Sequence, residues 1–79
     1  MTYVYMLQSE ANTARYYVGC THNLKKRFEE RNNGQSAHTR KFLPWKLVGY
    51  MAFTDHEKAD NFESYLKTAS GGAFAKKHF

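Results

Sequence analysis

Tyr3-Val4-Tyr5-Met6-Leu7-Gln8, then a polar stretch, then Tyr16-Tyr17-Val18-Gly19-Cys20: these two runs set the architecture of this 79-residue chain. Thr2 to Gln8 is rich in Tyr, Val, Met and Leu without clean polar alternation, which predicts a strand buried on both faces. Ser9 to Arg15 is polar and reads as a turn. A second strand over Tyr16 to Cys20 then makes a β-hairpin. With the turn centred near Asn12, Tyr5 and Tyr17 are expected close to opposite each other, and Tyr3 to face Gly19. Two phenols would then share one sheet face. Spacing alone favours a cross-strand aromatic pair worth roughly 0.2–1 kcal/mol. Gly19 inside a strand also marks a close approach by ligand or backbone.

Downstream, Thr21-His22-Asn23 supplies capping chemistry for a helix over Leu24 to Arg31, closed by Asn32-Asn33-Gly34 with the glycine in the left-handed region. At about 100° per residue, Leu24, Phe28 and Arg31 form one stripe with Arg27 at its edge. Arg27 is therefore expected where helix meets sheet, as either a structural ion pair or a phosphate ligand. Lys25 and Lys26 face water and are expected to pair with Glu29 and Glu30. Gln35 to Pro44 reads as a basic loop, and Trp45 to Phe53 as a third strand. Thr54-Asp55-His56-Glu57 fits a capping box. The helix it opens, about Asp55 to Ala69, carries Ala59, Phe62, Leu66 and Ala69 on one stripe and ends at Gly71-Gly72. Ala73 to Phe79 has room for a last helical turn or two. Glu63 lies at the rim of the stripe, and its simplest partner is Lys67, four residues on. The order β-β-α-β-α, with one further α, predicts an α+β fold: a three-stranded, mostly antiparallel sheet flanked by helices, forming a single domain over residues 1–79.

Twelve Lys and Arg against seven Asp and Glu leave a formal charge of +5, which favours polyanionic partners. One cysteine, Cys20, allows no intrachain disulfide, and with four scattered histidines it does not make a four-ligand zinc site. The first residues lack a basic segment and a cleavage site, so a cytoplasmic location without membrane insertion is expected. Trp45 reads as core or as part of a stacking surface with His38, Arg40 and Lys41.

Taken in order, Tyr3-Val4-Tyr5, Tyr17-Val18-Gly19, Asn23 to Arg27, Asn32-Asn33-Gly34, Pro44 to Val48, and Ala59 with Glu63 to Lys67 resemble the GIY-YIG nuclease superfamily. The likeness spans nearly the whole chain. It is greatest to the small stand-alone bacterial members, related to the amino-terminal nuclease domain of the bacterial repair excinuclease. The resemblance implies an endonuclease that hydrolyses phosphodiester bonds in DNA, including structured or damaged DNA, with Mg²⁺ or Mn²⁺ and an active site on one sheet face. It implies Tyr5, Tyr17, Arg27 and Glu63 as catalytic residues, Glu63 as the metal ligand, and a role in DNA repair. Arg31, Arg40 and Lys41 are the expected nucleic-acid contacts. DNA is favoured over RNA, with a protein partner or a homodimer as a further source of specificity.

The chain departs from the pattern at four places. Tyr3 replaces a glycine, Cys20 stands where several members have lysine, and no asparagine follows Asn61. Arg31 stands where many have histidine, and a guanidinium cannot shuttle a proton; His22 and His38 are the nearby imidazoles. The alternative is a nucleic-acid-binding module with the same fold and little or no catalysis.

Overall fold

The computed structural model describes residues 1–34 and 36–79; Gln35 and the His38 side chain lie outside the described residues. Three strands, β1 (Thr2–Ser9), β2 (Tyr16–Thr21) and β3 (Trp45–Phe53), form one antiparallel sheet in the order β2-β1-β3. The helices are α1 (Leu24–Asn32), the one-turn α2 (Ala37–Arg40), α3 (His56–Leu66) and α4 (Ala69–His78). The expected α+β architecture is thus the observed one. None of these helices is long and apolar enough to cross a membrane.

The central strand explains the layering. Because alternate residues of a strand point to opposite faces, β1 feeds two cores. Val4 and Met6 pack with Ala59, Leu66 and Ala75 beneath α3 and α4. Tyr5 and Leu7 pack with Trp45 on the other face, against Tyr17, Leu24 and Phe28. The sheet is therefore covered on both sides, as the unbroken apolar run predicts.

The hairpin register differs from the expected one by two residues. Tyr5 pairs with Gly19, Tyr3 with Thr21, and Leu7 with Tyr17. The turn is indeed centred at Asn12, and a centre there places Gly19, not Tyr17, across from Tyr5. Sterics reinforce this register, since any side chain at Gly19 would overlap the Tyr5 ring and hydroxyl. A shift of two preserves the face, so Tyr5 and Tyr17 remain diagonal neighbours, with ring centroids 6.3 Å apart.

Asn23 caps α1 by accepting a hydrogen bond from the Lys26 amide, and Gly34 follows the helix at φ 73°. Asn32 does more than end the helix. Its Nδ2 donates to the Trp45 carbonyl at 2.9 Å and its Oδ1 accepts from the Trp45 amide at 2.7 Å, pinning α1 to the start of β3. The segment expected as a loop contains the turn α2. Its Thr39 carbonyl accepts from the buried Trp45 indole at 3.0 Å, which makes Trp45 a core residue and removes it from any stacking surface.

Three details of the last third also depart from expectation. Asp55 rather than Thr54 caps α3, its carboxylate accepting from the Glu57 amide two residues on at 2.9 Å. The long helix breaks at Lys67-Thr68, so Ala69 belongs to α4 and is exposed. Gly71-Gly72 lies inside α4 rather than ending α3. Thr68 organises the break: its hydroxyl donates to the Tyr65 carbonyl at 2.6 Å and accepts from the Gly71 amide at 3.0 Å.

At Gly71 a β-carbon would overlap the Tyr65 carbonyl, whereas at Gly72 the nearest atom is 3.9 Å away. Gly71→Ala should cost about 1–3 kcal/mol through overpacking. Gly72→Ala should add about 0.5–1 kcal/mol through reduced chain entropy in the unfolded state. Urea midpoints of the two variants check the opposite signs.

Candidate functional site

β2 is an edge strand, and the side chains of interest gather around it from two layers. On the α1 face, Tyr5 is 1% exposed and its hydroxyl has no hydrogen-bond partner among the described residues. Burial first, and then the neighbouring Tyr17 phenol, push the Tyr5 pKa above its ordinary value of 10.0. The guanidinium groups of Arg31 and Arg27 oppose that rise without reversing it. At neutral pH Tyr5 is therefore a neutral phenol, able to donate a proton in a hydrogen bond and unsuited to accepting one from water.

Tyr17 differs. It is half-buried, and Nη2 of Arg31 donates to its hydroxyl oxygen at 2.7 Å while the guanidinium lies 4.8 Å from the ring centroid. A charged donor of this kind stabilises negative charge on the oxygen it meets. The structure thus separates two tyrosines that their spacing leaves equivalent. It also turns Arg31 inward, toward Tyr17, with its Nε buried and without a partner among the described residues.

Arg27 pairs with Glu30 at 3.3 Å, both side chains about one-third exposed. This overturns the expected Lys26–Glu30 pair, because Arg27 reaches the same carboxylate one turn away at i,i+3. The Lys25–Glu29 pair is likewise not among the ion pairs of the described residues, which are Arg27–Glu30, His56–Asp60 and Lys67–Glu63. Arg27 borders a hollow of about 290 Å³ with Cys20, Thr21, Asn23, Lys26 and Glu30. Arg40 and Lys41 are exposed on and just beyond α2, with the Lys41 ammonium 5.8 Å from the Phe42 ring centroid.

Glu63 comes from the other layer. Its helix, α3, packs on the Val4–Met6 face, opposite Tyr5 and Tyr17, so the four expected catalytic residues do not share one sheet face. Alternation along β2 explains the arrangement. Tyr17 points toward α1, and Cys20 points toward α3, where its Sγ lies 3.8 Å from Asp60 Oδ1. Burial first, then the negative charge of Glu63 and of Asp60, push the Cys20 thiol up. The raised value disfavours the reactive thiolate at Cys20, and α3, the helix that carries Glu63, packs against β2. The Glu63 carboxylate is held by Lys67 at 3.4 Å. The two layers therefore approach each other around the open edge of β2.

Next to this edge is a cluster that sequence spacing does not reveal. The His22 and His56 rings stack with centroids 5.4 Å apart, and both Nδ1 atoms lie 3.4 Å from Thr2 Oγ1. His56 Nε2 meets Asp60 at 3.2 Å. His22 follows β2 and His56 begins α3, and only the folded sheet brings them together.

Glu63 is the donor expected for a divalent ion. Among the described residues no three His, Cys, Asp or Glu side chains group to hold a metal. A single carboxylate does not fit a closed zinc site. It does fit an ion such as Mg²⁺, which keeps most of its waters and accepts oxygens from a bound phosphate.

A family model described as the GIY-YIG catalytic domain matches residues 1–77. The chain is 36% identical over 64 residues to a UPF0213 protein of Streptococcus pneumoniae serotype 4 (strain ATCC BAA-334 / TIGR4). It is 35% identical over 64 residues to the UPF0213 protein spr1390 of Streptococcus pneumoniae (strain ATCC BAA-255 / R6). Each match covers 80% of this chain and 65% of the relative, so the chain spans about two thirds of the length of these curated relatives.

The Tyr5 pKa is raised in the fold, so the unfolded chain gives up this proton at lower pH than the folded one. Stability linked to Tyr5 is therefore intact below pH 10.0 and declines as pH rises above it. Tyr5→Phe removes a buried hydroxyl that has no partner among the described residues, and should leave stability at neutral pH unchanged or up to about 1 kcal/mol higher. It should also flatten the alkaline decline. Denaturation midpoints of both proteins, measured at neutral and strongly alkaline pH, test both statements.

Proposed function

This chain belongs to the GIY-YIG family, a family of nucleases, and on that premise we propose that it is a metal-dependent endonuclease acting on DNA. The observation that carries this reading is the Arg31–Tyr17 hydrogen bond beside the neutral, buried Tyr5, with Arg27 bordering the end of β2 and α3, the helix of Glu63, packed on the strand's other face. Charge at the start of α1 supports it. The first turn holds Lys25 and Lys26 and no acid, so cations crowd the positive end of a helix, an arrangement that an approaching polyanion relieves.

The chemistry follows from these side chains. In its deprotonated form, which the Arg31 guanidinium stabilises, Tyr17 takes the proton of the attacking water and becomes the neutral phenol. Arg27 stabilises the charge gathering on the phosphoryl oxygens as the phosphorus–oxygen bond to the leaving strand breaks. Tyr5, remaining protonated, packs beside the Tyr17 ring. Glu63 would hold the divalent ion that GIY-YIG nucleases generally use, and such an ion supplies Lewis acidity at the phosphate. The leaving oxygen takes its proton from solvent. Arg31 assists Tyr17 by hydrogen bonding alone, so its replacement of a family histidine leaves proton transfer to Tyr17.

A second reading, a nucleic-acid-binding module with little turnover, draws on one observation. The hollow bordered by Arg27 is lined by neither Tyr17 nor Glu63.

Cleavage of branched, flapped and single-stranded DNA with Mg²⁺ or Mn²⁺ separates the readings. The nuclease reading predicts cleavage that chelator stops. Glu63→Gln should lower it on the order of a hundredfold or more, and Tyr17→Phe by about 10²–10⁴-fold. Both variants should keep wild-type binding measured in chelator. Tight, salt-sensitive binding without cleavage would favour the binding module.

A further inference from the structure

We infer that the groove between α1 and β3 is a subsite for an unstacked nucleobase of a strand bound at the β2 edge. This rests on the nucleic-acid reading above and adds to it the form of substrate. The groove is about 480 Å³, within the range of small-ligand sites. Tyr3, Phe28, Leu47 and Tyr50 supply its apolar walls. Two of these are unusually open for their size: Tyr50 is 55% exposed and Leu47 37%. Tyr3 and Tyr50 meet edge to face, with centroids 6.0 Å apart and planes at 66°, a contact that leaves most of the Tyr50 ring uncovered.

Two features select a base over an apolar peptide. The first is charge: Lys25 lines the groove and no Asp or Glu does, which matches a ligand whose backbone is anionic. The second is continuity. His22 and Asn23 border both this groove and the hollow that holds Lys26 and Arg27. A strand whose phosphates follow Arg27 and Lys26 is thereby led to the mouth of an aromatic slot, with Lys25 beside it. Planar π-faces next to a cationic track are the combination that single strands bind, because every base can stack while phosphates supply the charge. Paired bases inside a duplex cannot enter. The groove therefore favours single-stranded or locally unpaired nucleic acid.

The test uses the whole chain in chelator, so that binding is read without cleavage. The probes are a fluorescein-labelled single-stranded oligonucleotide, a fully paired duplex of equal length, and the same single strand carrying 2-aminopurine. Wild type should prefer the single strand and change the 2-aminopurine emission. Tyr50→Ala, at an exposed position, should weaken single-strand binding by about five- to a hundredfold. It should leave duplex binding within about twofold and abolish the 2-aminopurine response, and Tyr50→Trp should restore both. Equal losses on both forms, or no loss on either, overturn the subsite and leave the nuclease reading standing. A concentration-dependent dimer that Tyr50→Ala dissolves would assign the groove to a second copy and also overturn it. Failure to bind either form overturns both proposals.

Discussion

Tyr5 lying across Gly19 is the contact on which the rest of the structure depends. The ring fills the space that any side chain at Gly19 would occupy, so this pairing sets the register of β1 against β2. Register in turn sets faces. With Tyr5 committed to the α1 side, Tyr17 and Tyr3 share that side, while Val4, Met6 and Cys20 turn toward α3 and α4. One steric fit at the middle of the hairpin thereby distributes the side chains of both layers.

The same contact produces an asymmetry between the two site tyrosines. Lying across Gly19 buries Tyr5 and keeps its phenol neutral, while Tyr17, two residues along β2 from that glycine, stays half-buried under the Arg31 guanidinium. Like groups in unlike surroundings take unlike roles. The open edge of β2 supplies the other half of the arrangement. With no strand beyond it, residues from α1 and from α3 come near the same stretch of backbone, although the sheet lies between their layers. A bound strand running along that edge would meet Arg27 on one side and Glu63 on the other.

Much of this is legible in the sequence, for identifiable reasons. The apolar run at Val4 to Leu7 announces a strand between two cores, Asn23 announces a helix start, and Gly34 announces a left-handed stop. These are local signals, complete within a few residues. What stays hidden depends on distant partners. Gly71-Gly72 looks like a terminator, yet both glycines sit inside α4, and at Gly71 the Tyr65 carbonyl leaves no room for a β-carbon. Arg31 is expected to contact nucleic acid, yet it turns inward along the stripe it shares with Leu24 and Phe28 and donates to the Tyr17 hydroxyl. The likeness of the four-residue site to a known family is readable, but its division between two faces is not. That division follows from which side of the sheet α3 covers, and a helix stripe does not encode a side.

Metal-dependent cleavage at this site requires that Glu63, reaching from one layer, hold its ion at the edge of β2 shared with the other. Paramagnetic broadening of backbone amide NMR signals by Mn²⁺ reads this directly. The signals of Gly19, Cys20 and Glu63 should broaden first, and Glu63→Gln should abolish the effect. Broadening centred elsewhere, or undiminished in Glu63→Gln, would contradict this placement of the ion.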